Sequence, residues 1–148
     1  MNEEPKVLVW LLMEQDGGVL LARRKMEARP LGGQWVLPGD RLTEEESSSE
    51  TIWRVGREML DIQVIHDSFV DTLYIKERGV EYAINVFSIA FEGTPRFRQS
   101  GPYAEVRWVS PNDLPRPIND SLAVLLQQEG SRPPKVGKSQ GGVSGTEG

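Results

Sequence analysis

The stretch 38–62 carries the side chains of this chain that are best suited to chemistry on a phosphorylated compound. Asp40 and Glu46 come first, and Arg54 and Glu58 follow on a segment with helical periodicity. Carboxylates are the side-chain ligands that Mg²⁺ prefers, and arginine pairs with carboxylates or phosphates through a planar fork of N–H donors. These residue types can therefore serve a small polyanion, provided that the fold brings them together.

Their spacing resembles the Nudix box, whose consensus is Gly, five residues, Glu, seven residues, then Arg-Glu-aliphatic-any-Glu-Glu-any-Gly-aliphatic. Four residues match it: Glu46, Arg54, Glu58 and Ile62. Residues 33–39 read Gly-Gln-Trp-Val-Leu-Pro-Gly and resemble the segment that leads into the box in MutT-like members. The resemblance, which covers about residues 7–128 in element order, implies an α/β fold of the Nudix type, an α/β/α sandwich with a mixed β-sheet. It also implies hydrolysis of a pyrophosphate bond in nucleoside diphosphate-X compounds, with Mg²⁺ as the cofactor.

The chain departs from the box at its most reactive positions. Asp40, Val55, Gly56, Met59 and Asp61 stand where the consensus has Gly, Glu, an aliphatic residue, Glu and Gly. Two of the replaced carboxylates, at positions 55 and 59, are four residues apart and would stack on one helix face. Only Glu58 remains of the family's three. We expect Val55 and Met59 to point into the cleft or along its edge, beside Glu58.

The remaining candidates for a metal site, on this resemblance, are Glu46, Glu58, Gly39 and Asp40. Mg²⁺ often needs only one or two protein carboxylates besides substrate phosphates, so the lost glutamates do not imply a total loss of Mg²⁺ binding. With so few carboxylates left, the site is expected to be weak or absent. Asp40 takes the place of a glycine that gives the metal room and a carbonyl oxygen. Its side chain would either add a ligand or block the approach.

Candidate catalytic residues are Glu58, Arg54 and Glu105. In the family the arginine orients a box carboxylate, but Arg54 is also explained by an exposed helix pair with Glu50 or Glu58. Glu105 resembles an extra glutamate that many members place near the metal, and a solvent-facing strand position explains it equally well.

Four residues are candidates for substrate binding on the same resemblance: Arg23, Arg24, Trp35 and Asn119. The two arginines are similar to a basic pair beside the phosphates. Trp35 leads into the box, although burial against the loop is the better explanation for it. Asn119 stands where MutT-like members contact a purine base, and it is equally explained as a helix cap.

The elements that position these residues can be read from apolar periodicity and turn signals. Residues 7–13 and 19–23 form strand-like runs around Asp16-Gly17, which predicts a hairpin. A helix begins at the capping box of Ser47 and Glu50 and ends near Leu60. Further strands are predicted around 64, 69–75, 82–91 and 105–109, with a hairpin at Arg78-Gly79. A last helix spans 121–128 and is capped by Asn119 or Asp120.

Length and composition bound the remaining possibilities. At 148 residues and 38% hydrophobic content, the chain predicts one domain over residues 1–130 and a disordered Gly/Ser/Pro-rich tail over 131–148. A net charge of −5 argues against nucleic acid or an anionic membrane as the partner, and leaves a nucleotide or other diphosphate small molecule. There are no cysteines. The absence of a signal-like start favours the cytoplasm, and the oligomeric state stays open.

Two functions follow from this pattern. The first is a Mg²⁺-dependent hydrolase of nucleoside diphosphate-X compounds with an eroded metal site. The alternative is a catalytically inactive module of the Nudix fold that binds a nucleotide or a protein.

The composition of the tail yields a first prediction. Because a segment so poor in apolar residues cannot offset its ordering entropy, ending the chain at residue 130 should leave the melting temperature unchanged within error. Thermal unfolding of both forms measures this, and a clear drop in the truncated form would show that the tail docks on the domain.

Overall fold

A computed structural model describes residues 4–96 and 101–130 of the protein, so the predicted tail lies outside the described residues. In chain order the elements are β1 (Lys6–Leu12), β2 (Glu14–Gln15), β3 (Gly18–Arg24), β4 (Trp35–Val36), β5 (Gly39–Arg41), α1 (Ser48–Glu58), β6 (Gln63–Glu77), β7 (Val80–Glu92), β8 (Tyr103–Val109) and α2 (Asp120–Gly130). Within the described part of the chain, neither helix is long and apolar enough to span a bilayer.

The strands form two sheets. The first has the order β5-β1-β7-β6, and it is mixed because β1 runs parallel to β7 while the other pairs are antiparallel. In the second, β3 pairs with β8 on one edge and with β2 and β4 on the other, all antiparallel. The predicted α/β fold with a mixed sheet is confirmed.

The predicted turn at Asp16-Gly17 is confirmed, but the strand that it joins to β3 is not the predicted one. Asp16 and Gly17 have φ of 54° and 79°, as a two-residue turn requires, but they join β3 to the short β2. The long strand β1 belongs to the other sheet. Its side chains from Val9 to Leu12, and that of Met13 directly after it, are buried without interruption, which suits a central strand covered on both faces.

Alternate side chains of β1 enter two hydrophobic clusters. Leu8, Trp10 and Leu12 pack in one cluster with residues of the second sheet and of α2. Val9, Leu11 and Met13 pack in the other cluster, against residues of α1. The period of two along β1 therefore sets which face α1 covers.

Helix α1 begins and ends as its sequence predicts. The Glu50 backbone N–H donates to Ser47 Oγ at 3.1 Å, and the Ser47 N–H donates to Glu50 Oε1 at 2.8 Å, which completes the capping box. The helix ends at Glu58 with Met59 as its C-cap. Asp61 then adopts a φ of 57°. The left-handed conformation explains a glycine in the consensus, and aspartate is one of the residues that tolerates it.

Gly56 brings α1 close to β6. A Cβ atom at this position would lie 2.7 Å from Val64 Cγ2 and 3.4 Å from Ile62 Cγ1. The aliphatic side chain of the consensus therefore has no room here, because the β-branched Val64 occupies its space.

Gly56→Ala should consequently destabilise the protein, although alanine is the better helix former. Overpacking costs about 1–3 kcal/mol and outweighs a helix-propensity gain of about 1 kcal/mol. Urea unfolding of the variant measures the difference, with Arg57→Ala on the exposed face of α1 as the control, expected within about 0.5 kcal/mol of the parent. A more stable Gly56→Ala would contradict the close packing.

Candidate functional site

Arg54 is the centre of an ion-pair network that joins α1 to the segment before it. Its Nε and Nη2 donate to the two carboxylate oxygens of Glu46 at 2.8 and 3.0 Å, and Nη1 donates to Asp40 Oδ2 at 2.8 Å. The bidentate pairing fixes the guanidinium plane. Arg54 therefore pairs across the box with Glu46 and Asp40, and not along the helix with Glu50 or Glu58.

Both carboxylate oxygens of Glu46 accept hydrogen bonds, which hold the segment before α1 in place. Besides the two bonds from Arg54, it accepts hydrogen bonds from Thr51 Oγ1 at 3.1 Å and Thr43 Oγ1 at 3.2 Å. The hydrogen bonds from Arg54 are the main cause that lowers the pKa of Glu46 to about 2. The hydrogen bonds from Arg54 to Glu46 and then to Asp40 raise the pKa of Arg54 further above its usual range.

The three box positions that carry carboxylates in the family do not form a polar face here. Val55 has no exposed surface and packs with Leu11 and Ile52, so it does not border a cleft as expected. Met59 is half-buried and touches both hydrophobic clusters. Glu58 points to solvent, with 57% of its side chain exposed and Arg57 Nη2 at 3.6 Å.

A contact at Gly39 was not predicted from the sequence. The Tyr103 hydroxyl accepts a hydrogen bond from the Gly39 N–H at 2.8 Å and donates one to the Gly39 carbonyl oxygen at 2.9 Å. Tyr103 is 1% exposed, and burial is the main cause that raises its pKa to about 12. No motif links positions 39 and 103, which lie on different sheets, so no signal in the sequence could have identified this pair.

A second group of charged side chains lies across β3, β4 and β8. Arg23 pairs in register with both Trp35 and Glu105. Glu105 lies between two arginines, with Arg107 Nη2 at 2.7 Å and Arg23 Nε at 3.5 Å. The hydrogen bond from Arg107, followed by that from Arg23, lowers the pKa of Glu105. The Arg107 guanidinium also lies 4.8 Å from the centre of the buried Trp35 ring, which it covers.

Arg24 and Asn119 both make structural contacts. Arg24 Nη2 donates to the Arg29 carbonyl at 3.1 Å, while its buried Nε has no hydrogen-bond partner among the described residues. Asn119 Oδ1 accepts from the backbone N–H groups of Ser121 and Leu122 at 2.9 and 3.2 Å, so it caps α2. Both hydrogen bonds of Asn119 Oδ1 are therefore explained by capping. A contact of Asn119 with a purine base stays a prediction.

A family model of the NUDIX domain matches residues 3–129. The chain belongs to this family. Its fold is similar to that of the MutT NUDIX hydrolase from Burkholderia pseudomallei, at a TM-score of 0.75 and 26% identity, over 85% of this chain and 98% of that one. A UDP-X diphosphatase structure is similar at a TM-score of 0.70 and 18% identity, over 89% of this chain and 66% of that one.

A shorter match joins this NUDIX protein to Low-salt glycan biosynthesis protein Agl8 of Haloferax volcanii. The two are 35% identical over 68 residues, which are 46% of this chain and 42% of Agl8. The match therefore spans less than half of either protein. Family and fold together support pyrophosphatase chemistry as the general class of activity.

NUDIX hydrolases generally use a divalent metal such as Mg²⁺, and the donors in this chain do not fit one. Mg²⁺ requires several oxygen ligands in near-octahedral geometry. Glu46 and Asp40 are bound to Arg54, and the Gly39 carbonyl accepts from Tyr103. Throughout residues 4–96 and 101–130, no three carboxylate or imidazole side chains come together as a metal site would need.

The lowered pKa of Glu46 yields a prediction about pH. A carboxylate whose pKa is depressed on folding contributes stability above its unfolded pKa and loses it as the pH falls through the folded pKa. Glu46→Gln should therefore lower the melting temperature at pH 7, and the difference from the parent should shrink between about pH 4.5 and 2.

Melting temperatures of parent and variant across this range test the prediction. Glu44→Gln is the matched control, because Glu44 is exposed in the same segment and has no ion pair among the described residues. If Glu46→Gln and Glu44→Gln behave alike, the network around Arg54 does not stabilise the fold.

Proposed function

We propose that this NUDIX protein binds a nucleoside diphosphate compound through the arginine side chains of β3 and β8, and lacks the Mg²⁺-dependent hydrolysis typical of the family. The observation that carries the proposal is the burial of Val55 in the hydrophobic core, at a position where the family has a metal-binding carboxylate. Met59, at the second such position, also packs against apolar residues. Apolar atoms cannot coordinate Mg²⁺, and charge neutralisation at the phosphates is the main source of catalysis in phosphoryl transfer.

The burial of Val55 also changes what a repaired box would do. A glutamate there would lie among Val9, Leu11 and Ile52, where an unpaired carboxylate is strongly disfavoured. Placing carboxylates at positions 55 and 59 would therefore unfold the core before it created a metal site. We therefore attribute the proposed loss of hydrolysis to the apolar packing of α1 as a whole, and not to two single replacements.

Support for binding comes from the group across β3, β4 and β8. Arg23 and Arg107 share one carboxylate, Glu105, so the group carries an excess positive charge on a protein whose net charge is −5. All three side chains are more than a third exposed. Guanidinium groups bind phosphates in a bidentate manner without a metal, and a ligand phosphate can compete with Glu105 for them.

The names of two similar proteins suggest which ligands to test first. One is a UDP-X diphosphatase, and the other takes part in glycan biosynthesis. Nucleotide sugars contain the diphosphate that the arginines would recognise. We therefore place UDP-sugars and GDP-sugars at the head of a ligand panel that also contains ADP-ribose.

The alternative is a hydrolase whose metal site is rebuilt around Asp40, Glu46 and Glu58. Membership of a hydrolase family favours it, and so does the extra carboxylate of Asp40 close to Glu46. This function would require Arg54 to release both carboxylates. It predicts turnover that depends strongly on Mg²⁺.

Calorimetry on the full chain tests the proposal, with each ligand titrated in EDTA and again in excess Mg²⁺. We expect at least one nucleotide sugar to bind equally well in both buffers. Arg23→Ala should weaken that binding about tenfold or more, because a hydrogen bond to a charged group contributes about 1.5–3 kcal/mol.

Lys76→Ala is the control for loss of a positive charge, since Lys76 is exposed on β6. It should leave the affinity unchanged. Chromatography of the same mixtures follows cleavage of the ligand. Product formation in Mg²⁺ at about 1 s⁻¹ or faster, absent in EDTA, would establish the hydrolase instead.

A further inference from the structure

We infer that Tyr103, and not a metal ion, fixes the start of the Nudix box, so that this segment is positioned without a divalent cation. The inference concerns the protein without ligand and does not depend on the proposed nucleotide binding. It rests on hydrogen bonds at Gly39, on the ion pairs of the next residue and on the charges nearby.

The Tyr103 hydroxyl satisfies both backbone groups of Gly39 at once. It accepts from the Gly39 N–H at 2.8 Å and donates to the Gly39 carbonyl at 2.9 Å. The residue lies on β8 in the second sheet, whereas Gly39 lies on β5 in the first. One phenol therefore links the two sheets at the point where the box begins.

The glycine is required for this approach. A Cβ atom at position 39 would clash with the Val9 carbonyl oxygen and would lie 2.8 Å from Trp10 Cδ1. The backbone at Gly39 is thus pressed against β1 on one side and hydrogen-bonded to Tyr103 on another. Its position is determined by the protein's own atoms.

A cation at the Gly39 carbonyl would have to share that oxygen with the Tyr103 hydroxyl, which already donates to it. Tyr103 is 1% exposed, so water does not readily replace a hydrogen bond that its hydroxyl loses. The neighbouring carboxylate is occupied as well, because Asp40 Oδ2 accepts from Arg54 Nη1 at 2.8 Å.

Charges of both signs lie around Tyr103, and the carboxylate among them, Asp40, is paired. Arg24 pairs in register with Tyr103 across β3 and β8, and it contributes a positive charge close to the phenol. Arg54 contributes another beside Asp40. Asp40, the carboxylate next to Gly39 in the chain, is therefore already paired with a guanidinium group.

Amide hydrogen exchange and thermal unfolding of the full chain test the inference, each in EDTA and in excess Mg²⁺. The parent should give the same melting temperature and the same protection of the Gly39 amide in both buffers. Tyr103→Phe should reduce Gly39 protection by about tenfold or more and lower the melting temperature by roughly 3–10 °C.

Tyr82→Phe is the matched control, because Tyr82 is 8% exposed and its hydroxyl makes no hydrogen bond among the described residues. It should change neither quantity by a comparable amount. Unchanged Gly39 protection in a folded Tyr103→Phe protein would overturn the inference.

If Tyr103→Phe does not fold, measurements on the parent protein alone still test whether a divalent ion binds. Titration with Mn²⁺, followed by electron paramagnetic resonance, reports tight binding of a divalent ion directly. We expect no saturable site below millimolar Mn²⁺. A saturable site, or a melting temperature that rises in Mg²⁺, would show that an ion and not Tyr103 positions this segment.

Discussion

The burial of β1 on both faces is the constraint on which the rest of this structure depends. Its even-numbered side chains from Leu8 to Leu12 face the second sheet and α2, and its odd-numbered ones face α1. Helix α1 must therefore present a continuous apolar stripe to the sheet. Val55 belongs to that stripe and is buried alongside Ile52, where it forms part of the core.

The charged side chains of the box also serve the packing of this segment. Asp40 and Glu46, which have the chemistry of metal ligands, share the guanidinium of Arg54. An arginine can hold two carboxylates in fixed geometry at any metal concentration. The box thus keeps the loop-to-helix connection of its family and uses these three charges to hold it in place.

Much of the local structure was determined by the sequence alone. Ser47 and Glu50 set the start of α1 through a capping box, and Asp16-Gly17 and Arg78-Gly79 place two turns with positive φ. Each of these signals acts over a few residues, so it can be read without the fold. The box spacing predicted the family, and the family model confirms it.

The tertiary structure alone decided how these pieces meet. Whether the strands form one sheet or two, and whether Arg54 pairs with its helix neighbours or with Glu46 and Asp40, depends on packing between distant segments. The contact of Tyr103 with Gly39 spans 64 positions of the chain. Such partners are selected by the burial of β1 and the registers of β5 and β8, which bring together residues that share no local pattern.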